Sequence, residues 1–427
     1  MARIISQEGS ELILEVKIKL KGSLLEMENE ILDACNDLGC TVTGEALKEF
    51  DADGSPIHLG EVKMTSKGQT DKSYQTPYGK VSIKRYSYQS SKGGKTYCPL
   101  DEKARIIRDA TPKFAQQISH KYANMNALSV RSDLMENHHR KVSHSYLQSV
   151  SEWVGSIAQA KEEIWEYETP KLENAVKSVV LSLDGAYLLM REHGYRESMV
   201  GNLSLYDVEG KRLHTIYLGE VPEYGKSRFF TRMETEISRI KKQYPDVLYL
   251  GIADGAKNNW VFLDKHTSMQ LLDFFHVTEY LAKAAYAAYP DKTAKPKREL
   301  WLSEHCSQLK SQSGAAQDII DEMEKLSKKT SLSKKIKDDL LSALTYFQNH
   351  QNMMNYPAHI AQNLPIGSGV TEAACKTLVK QRLCCSGMHW KETGAKVVLS
   401  LRALVQSKGR WQQFWERINR YGAVICA

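Results

Sequence analysis

Two aspartates stand out for their setting. Asp184 interrupts the apolar run KSVVLSLDGAYLLM, Asp254 closes VLYLGIADG, and glycine follows each. A carboxylate that ends an apolar strand carries a charge that is costly to bury, and a bound cation satisfies it. Asp-Gly is also an ordinary turn pair, so either residue alone says little. Two on neighbouring strands point to a shared site. The third carboxylate of such a site is expected on a helix packed beside the strands. In LPIGSGVTEAACKTLVKQRL the Gly367, Ser368, Gly369 loop opens a helix with Glu372 in its first turn. The helix dipole favours an acid there for structural reasons as well. Glu372, Lys376 and Lys380 fall at i, i+4 and i+8, which predicts a metal-binding carboxylate in line with two phosphate-binding ammonium groups.

Hard oxygen ligands drawn from strand, strand and helix suit two-metal phosphoryl transfer, with ions about 4 Å apart serving the attacking and leaving oxygens. Two Mg²⁺ ions fit best, with Mn²⁺ able to substitute, because Mg²⁺ takes few carboxylates and keeps water or phosphate oxygens as its other ligands. Water as nucleophile cuts a strand; a DNA 3′-hydroxyl joins it to a target. A serine hydrolase is disfavoured, since a nucleophile elbow needs G-x-S-x-G and Ser368 lies directly between two glycines. P-loop and dinucleotide fingerprints do not occur in the sequence.

The elements that hold these residues follow from periodicity. KSVVLSLDG is too apolar for an edge strand, NLSLYDVEGKRLHTIYLG is a hairpin, a charged helix spans about 226–243, and VLYLGIADG is a second buried strand. Strand, hairpin, helix, strand is the opening half of a ribonuclease-H-like α/β fold. Residues 291–350 hold almost no strand pattern and predict a helical insertion, whose KLSKKTSLSKKIKDD run is a solvated helix face or lies along DNA. The end of the chain is again helical, and Trp260, Trp411 and Trp415 read as core residues.

Upstream, residues 12–21 alternate as a half-buried strand, 23–38 read as a helix ending at Gly39, and the polar 50–76 segment reads as a loop or linker. GKVSIKRYSYQ, a SSKGG turn and KTYCPL predict a hairpin in which Arg85 and Tyr86 grip phosphates and stack on bases, or simply form a solvated edge. Helices follow near 112–122, 126–137 and from about 144, the last capped by Ser143. His138, His139, Arg140, Lys141 and His144 at their junction fit a helix-turn-helix that reads DNA, or a plain connector whose basic residues face water.

The predicted order is therefore a strand/helix region with linker (1–74), a β-hairpin region (75–108) and a helical, helix-turn-helix-like DNA-binding domain (109–170). The ribonuclease-H-like core follows in two parts (171–290 and 356–427, the latter with the C-terminal helices) around the helical insertion (291–355). A chain of 427 residues has room for several domains. Its 58 Lys+Arg against 51 Asp+Glu, net +7, favours a polyanionic partner without excluding an ordinary basic enzyme. MARIISQEGSEL lacks the apolar core of a signal peptide and no long apolar run follows, so a soluble, cytoplasmic protein is expected. The eight cysteines (Cys35, Cys40, Cys98, Cys306, Cys375, Cys384, Cys385, Cys426) form no CxxC pair, which suits a reducing compartment. CNDLGC has no matching second pair, so free thiols are expected there rather than zinc.

The order LSLDG, LGIADGAKNNW, LDFFHVTEYL, LPIGSGVTEAACKTLVKQRLCCSGMHW, LRALVQSKGRWQQFWERI resembles the ISKra-type bacterial insertion-sequence transposases. TPYGKVSIKRYSYQ and CPLDEKA extend the resemblance over roughly residues 75–420. It implies a DDE transposase: a ribonuclease-H-like core split by a helical insertion, with Asp184, Asp254 and Glu372 as the catalytic, metal-binding triad. It also implies double-stranded DNA, both element ends and target, as substrate, and a dimer or larger assembly because two ends must meet. Asp273 and His276, in DFFH, resemble an Asp-x-x-His signature found after the second Asp in related transposases, which implies holding DNA or shaping the site; His276 is otherwise a core histidine. Arg382 joins Lys376 and Lys380 as a DNA contact, and Trp390, in GMHW, either stacks on a distorted base or packs in the core. Two rivals remain: a nuclease or resolvase of the same fold that cuts without joining, and a non-catalytic DNA-binding regulator with structural carboxylates.

Overall fold

The apolar run around Asp184 becomes the central strand of a five-stranded sheet. A computed structural model describes residues 2–161, 164–329 and 332–423 of this mixed α/β protein. They group into two compact units, one of Met1–Tyr167, Lys396–Val405 and Arg410–Ala427, the other of Glu168–Ala395 and Gln406–Gly409. No helix among the described residues is long and apolar enough to cross a membrane. The first unit contains strands β1 (Ala2–Glu8) and β2 (Glu11–Val16), helix α1 (Leu24–Lys48), strands β3 (Ile57–Leu59), β4 (Val62–Gln75), β5 (Lys80–Ser90) and β6 (Gly93–Tyr97), and helices α2 (Pro99–Lys103), α3 (Pro112–Asn124), α4 (Ala127–His138) and α5 (His144–Lys161).

The second unit begins with β7 (Ser178–Met190), β8 (Gly194–Tyr206), β9 (Arg212–Glu220), α6 (Ser227–Gln243), β10 (Leu248–Ala253), α7 (Lys257–Asp264), β11 (Met269–Leu272) and α8 (Phe274–Ala288). Its sheet has the order β11-β10-β7-β8-β9, with β7, β8 and β9 antiparallel and β10 and β11 parallel to β7. Both faces of β7 are covered, which is why its sequence is nearly continuously apolar. Val179, Leu181 and Leu183 pack with Phe229, Met233, Ile237 and Ile240, the apolar stripe of α6. Val180 faces the other way, with Val277 and Leu281 of α8.

That second core is completed by the expected helical insertion: α9 (Lys295–Ser311), α10 (Ala315–Ser327) and α11 (Lys334–His350), which contribute Trp301, Ile320, Met323, Leu340 and Phe347. Helices α12 (Tyr356–Ile360) and α13 (Gly369–Ala374), a π-helical turn at Cys375–Lys380, and α14 (Gln381–Leu383) follow. Helix α15 (Glu392–Gln406) and helix α16 (Arg410–Tyr421) complete the fold, and the α16 residues belong to the first unit.

Several expectations for the first unit need correction. The 50–76 segment is not a linker: β4 pairs with β5 from Gln75↔Lys80 to Met64↔Ser90. Most of β4 is exposed, so it has no apolar alternation to reveal it, and its backbone bonds define it instead. Strand β2 stops at Val16, short of the 12–21 expectation. Helix α1 does not end at Gly39 but runs to Lys48. Gly39 is there for clearance, since a methyl group on it would stand 2.3 Å from Cγ of Tyr78. The 80–97 hairpin is present, yet Arg85 does not face a ligand: it is mostly buried, paired with Asp101 and set over the Tyr74 ring. Tyr86 is half-buried, its backbone N–H donating to Asp51.

The helices predicted near 112–122, 126–137 and from about 144 are present as α3, α4 and α5, and the Ser143 hydroxyl accepts the Tyr146 N–H. Their junction is a structural knot more than a basic surface. His139 adopts a left-handed conformation and lies 2.7 Å from Asp33, and Arg140 is 6% exposed. Arg140 donates to the Thr76 carbonyl and to Gln75 Oε1 at 2.9 Å, with its guanidinium over the Phe114 ring. Lys141 and His144 remain exposed. Arg140→Ala is therefore expected to destabilise the protein by roughly 1–3 kcal/mol, since it leaves buried acceptors unmatched. Thermal unfolding checks this; a variant that melts like the wild type but binds DNA more weakly would restore Arg140 to the surface role.

Candidate metal centre

Register, not sequence proximity, assembles the acids. In the parallel strands Leu181 lies opposite Gly251, and Gly251 opposite Gln270. Extending that register to the strand ends aligns Asp184, Asp254 and Asp273 on one level. Asp184 does not end its strand as expected; β7 continues to Met190, paired throughout with β8. It lies instead beyond Leu181, the last β7 residue paired with β10, so it has the surroundings of a strand end without being one. It shares the face of Val180 and Ser182, the face on which α13 packs: Asn202, opposite Ser182, donates to the Thr371 hydroxyl at 2.6 Å.

Each carboxylate is held by its neighbours. Asp184 Oδ1 accepts the Gly185 N–H at 2.6 Å, and Oδ2 faces the Cys375 thiol at 3.6 Å. Burial, reinforced by the Asp254 charge, raises the Asp184 carboxyl above its ordinary range, against the lowering pull of the Gly185 and Cys375 donors. Asp254 Oδ1 accepts from Ala256 N at 3.1 Å and Asn259 Nδ2 at 3.3 Å, while its carbonyl is fixed by the Trp260 indole N–H at 2.6 Å. Asp273 caps α8 through Phe275 N at 3.0 Å and accepts the Ser368 hydroxyl at 2.5 Å.

Glu372 enters from the first turn of α13. One ligand atom each from Asp273, His276 and Glu372 lie within 4.8 Å of one another. Burial, then the Asp273 charge, raises the Glu372 carboxyl. Its Oε1 is buried without a hydrogen-bond partner among the described residues. A half-buried carboxylate with an unmatched oxygen beside other carboxylates is electrostatically incomplete. The donors that lie together, two carboxylates and the His276 imidazole, with the orphaned Oε1, fit a divalent cation that accepts oxygen and nitrogen ligands.

The other expected contacts divide. Lys376 and Lys380 are exposed, but the π turn through them breaks the α-helical spacing that would align both with Glu372. Asp273 is fully buried, bonded to the start of α8 and to Ser368. Arg382 is also buried, its guanidinium over the Trp390 ring, and is no free phosphate contact. Trp390 is half-buried, its N–H spent on the Leu383 carbonyl at 2.8 Å. His276 is half-buried and lies 3.4 Å from Glu279. Trp411 and Trp415 are buried as expected, and Trp260 packs against the core as expected and also braces Asp254. Ser368, weighed from sequence only as a nucleophile, is a donor to Asp273, and Cys375 reaches Asp184 from the π turn, a placement no spacing rule announces. Seven cysteines are free thiols, and Cys426 lies outside the described residues.

No known protein family and no curated protein matches the sequence. The resemblance to insertion-sequence transposases stands on its motifs alone.

Proposed function

We propose that the chain is a DDE-type transposase with a ribonuclease-H-like core, which binds the ends of an insertion sequence as a dimer or larger assembly in the bacterial cytoplasm and cuts and joins DNA. The observation that carries the reading is the alignment of Asp184 and Asp254 on adjacent parallel strands; Glu372, with an unmatched oxygen, groups with Asp273 and His276 and feels the Asp184 charge. The sheet order β11-β10-β7-β8-β9, with helices on both faces, supports the fold reading.

Asp184, Asp254 and Glu372 would hold Mg²⁺ or Mn²⁺, which when bound supplies Lewis acidity toward the phosphate and toward the attacking hydroxyl. The protein's own part is placement. Trp260 fixes the backbone at Asp254, and Gly185 and Cys375 orient the Asp184 oxygens. Asp273 and Ser368 tie the start of α8 to the loop that carries Glu372. Exposed Lys376 and Lys380 lie close in sequence to draw in the DNA backbone.

The test is cleavage and strand transfer of a labelled duplex carrying the terminal repeat that flanks the gene, with Mg²⁺ or Mn²⁺, for the wild type and for Asp184→Ala, Asp254→Ala and Glu372→Ala. Metal-dependent joining lost in all three variants is the expected result. Cleavage without joining would make the protein a nuclease, and DNA binding without chemistry under either metal would make it a regulator.

A further inference from the structure

Helix α11 belongs to the helical insertion, yet one of its side chains reaches the backbone next to Asp254. Tyr346 is 9% exposed, and its ring stacks on Tyr280 with centroids 3.7 Å and planes 11° apart. The ring also meets the backbone that follows Asp254. A methyl group on Gly255 would stand 2.6 Å from Cε2 of Tyr346 and 3.1 Å from Cε1 of His350. The glycine after Asp254 therefore admits an aromatic ring from the insertion.

Clamped in this way, the ring presents a buried hydroxyl with no hydrogen-bond partner among the described residues. A buried O–H is ordinarily matched, so an unmatched one beside a ligand site points to a ligand. Burial, then the charges of Tyr280, Asp254 and Asp273, push the phenol far above its usual range, so it stays a donor at any physiological pH. Asp273 also borders Glu372, whose Oε1 is unmatched too. Two orphaned atoms, one donor and one acceptor, thus belong to residues that both feel the Asp273 charge, and the Tyr346 ring packs on the glycine next to Asp254.

We propose that the Tyr346 hydroxyl is a positioning donor for this centre, hydrogen-bonding an oxygen ligand of the divalent cation held by the carboxylates. That oxygen is water in the free protein and a phosphate oxygen when DNA is bound. The inference rests on the metal-dependent reading above and adds that the insertion completes the centre.

Tyr346→Phe keeps the ring, its stack and its contact with Gly255 while removing one oxygen. Mn²⁺ binding without DNA is measured by calorimetry for the wild type, Tyr346→Phe and Glu372→Ala; kcat and KM for DNA cleavage are then measured separately. Tyr346→Phe is expected to lose about 10-fold to 100-fold in Mn²⁺ affinity or in kcat, the usual cost of removing a partner that orients a metal's ligands. Its KM for DNA and its metal-free melting temperature should not fall below those of the wild type. Loss of affinity without DNA assigns the water, and loss in kcat alone assigns the phosphate oxygen. The proposal is overturned if the wild type binds Mn²⁺ no better than Glu372→Ala. It is equally overturned if Tyr346→Phe binds Mn²⁺ like the wild type and, wherever the wild type cuts DNA, cuts like it. Weakened Mn²⁺ binding in a protein that cuts no DNA would keep the role of Tyr346 and remove the transposase.

Discussion

Glu372→Gln is expected to slow DNA cleavage by about 10²–10³-fold, the scale on which a preorganised charge-stabilising group acts, while making the metal-free protein more stable. Both effects have one cause. Glu372 carries its charge beside Asp273 and within reach of Asp184, under burial that already disfavours ionisation, and its Oε1 has no donor among the described residues. Without a cation this is a liability, and neutralising one member removes the repulsion at nearly constant shape. The sign of the pH dependence follows. The folded Glu372 and Asp184 carboxyls bind protons more readily than the unfolded ones, so their penalty is full above the raised folded values and disappears below the ordinary ones. Lowering the pH from neutral into the ordinary carboxyl range should therefore raise the melting temperature of the metal-free wild type relative to Glu372→Gln. Added Mg²⁺ should raise it again for the wild type and not for the variant, because a cation that binds only the folded state stabilises it by mass action. Scanning calorimetry of both proteins with Mg²⁺ and with chelator checks all three; a variant less stable than the wild type at neutral pH without metal would show that Glu372 is a structural acid.

Much of the second unit is readable from its residues because burial imposes a pattern. The unbroken apolarity of β7 follows from cores on both its faces, and the i, i+4, i+8 stripe Phe229, Met233, Ile237 announces α6. What sequence cannot show is register. Asp273 looks like a partner of His276 four positions into DFFH, but pairing with β10 makes it the third aspartate of a row. Polar segments fail for the opposite reason: β4 exposes most of its side chains and leaves only hydrogen bonds to define it. Basic residues mislead most. Arg85, Arg140 and Arg382 carry the charge that suggests DNA, yet each is drawn inward by an acid, a carbonyl or an aromatic ring that no spacing rule pairs with it. Lys141, Lys376 and Lys380 are exposed.

Gly255→Ala should destabilise the protein by about 1–3 kcal/mol, the cost of overpacking a filled space, and impair cleavage with it. The backbone at Gly255 is not in the left-handed region, so no conformational strain enters and the whole effect is steric. A new methyl 2.6 Å from the Tyr346 ring cannot be relieved by rotating that ring, which Tyr280 holds at 3.7 Å on a face. Either α11 or the segment carrying Asp254 must move, and the second displaces a carboxylate of the proposed metal site. The contact is isolated by a double-mutant cycle with Tyr346→Ala, which alone should cost about 3–5 kcal/mol through the cavity left by the ring. In the double variant the methyl occupies space the ring has vacated, so its penalty should largely vanish and the two costs should fall short of additivity by about 0.5–3 kcal/mol. Additive costs would mean that ring and glycine do not touch, and the insertion would then have no direct hold on the strand end that carries Asp254.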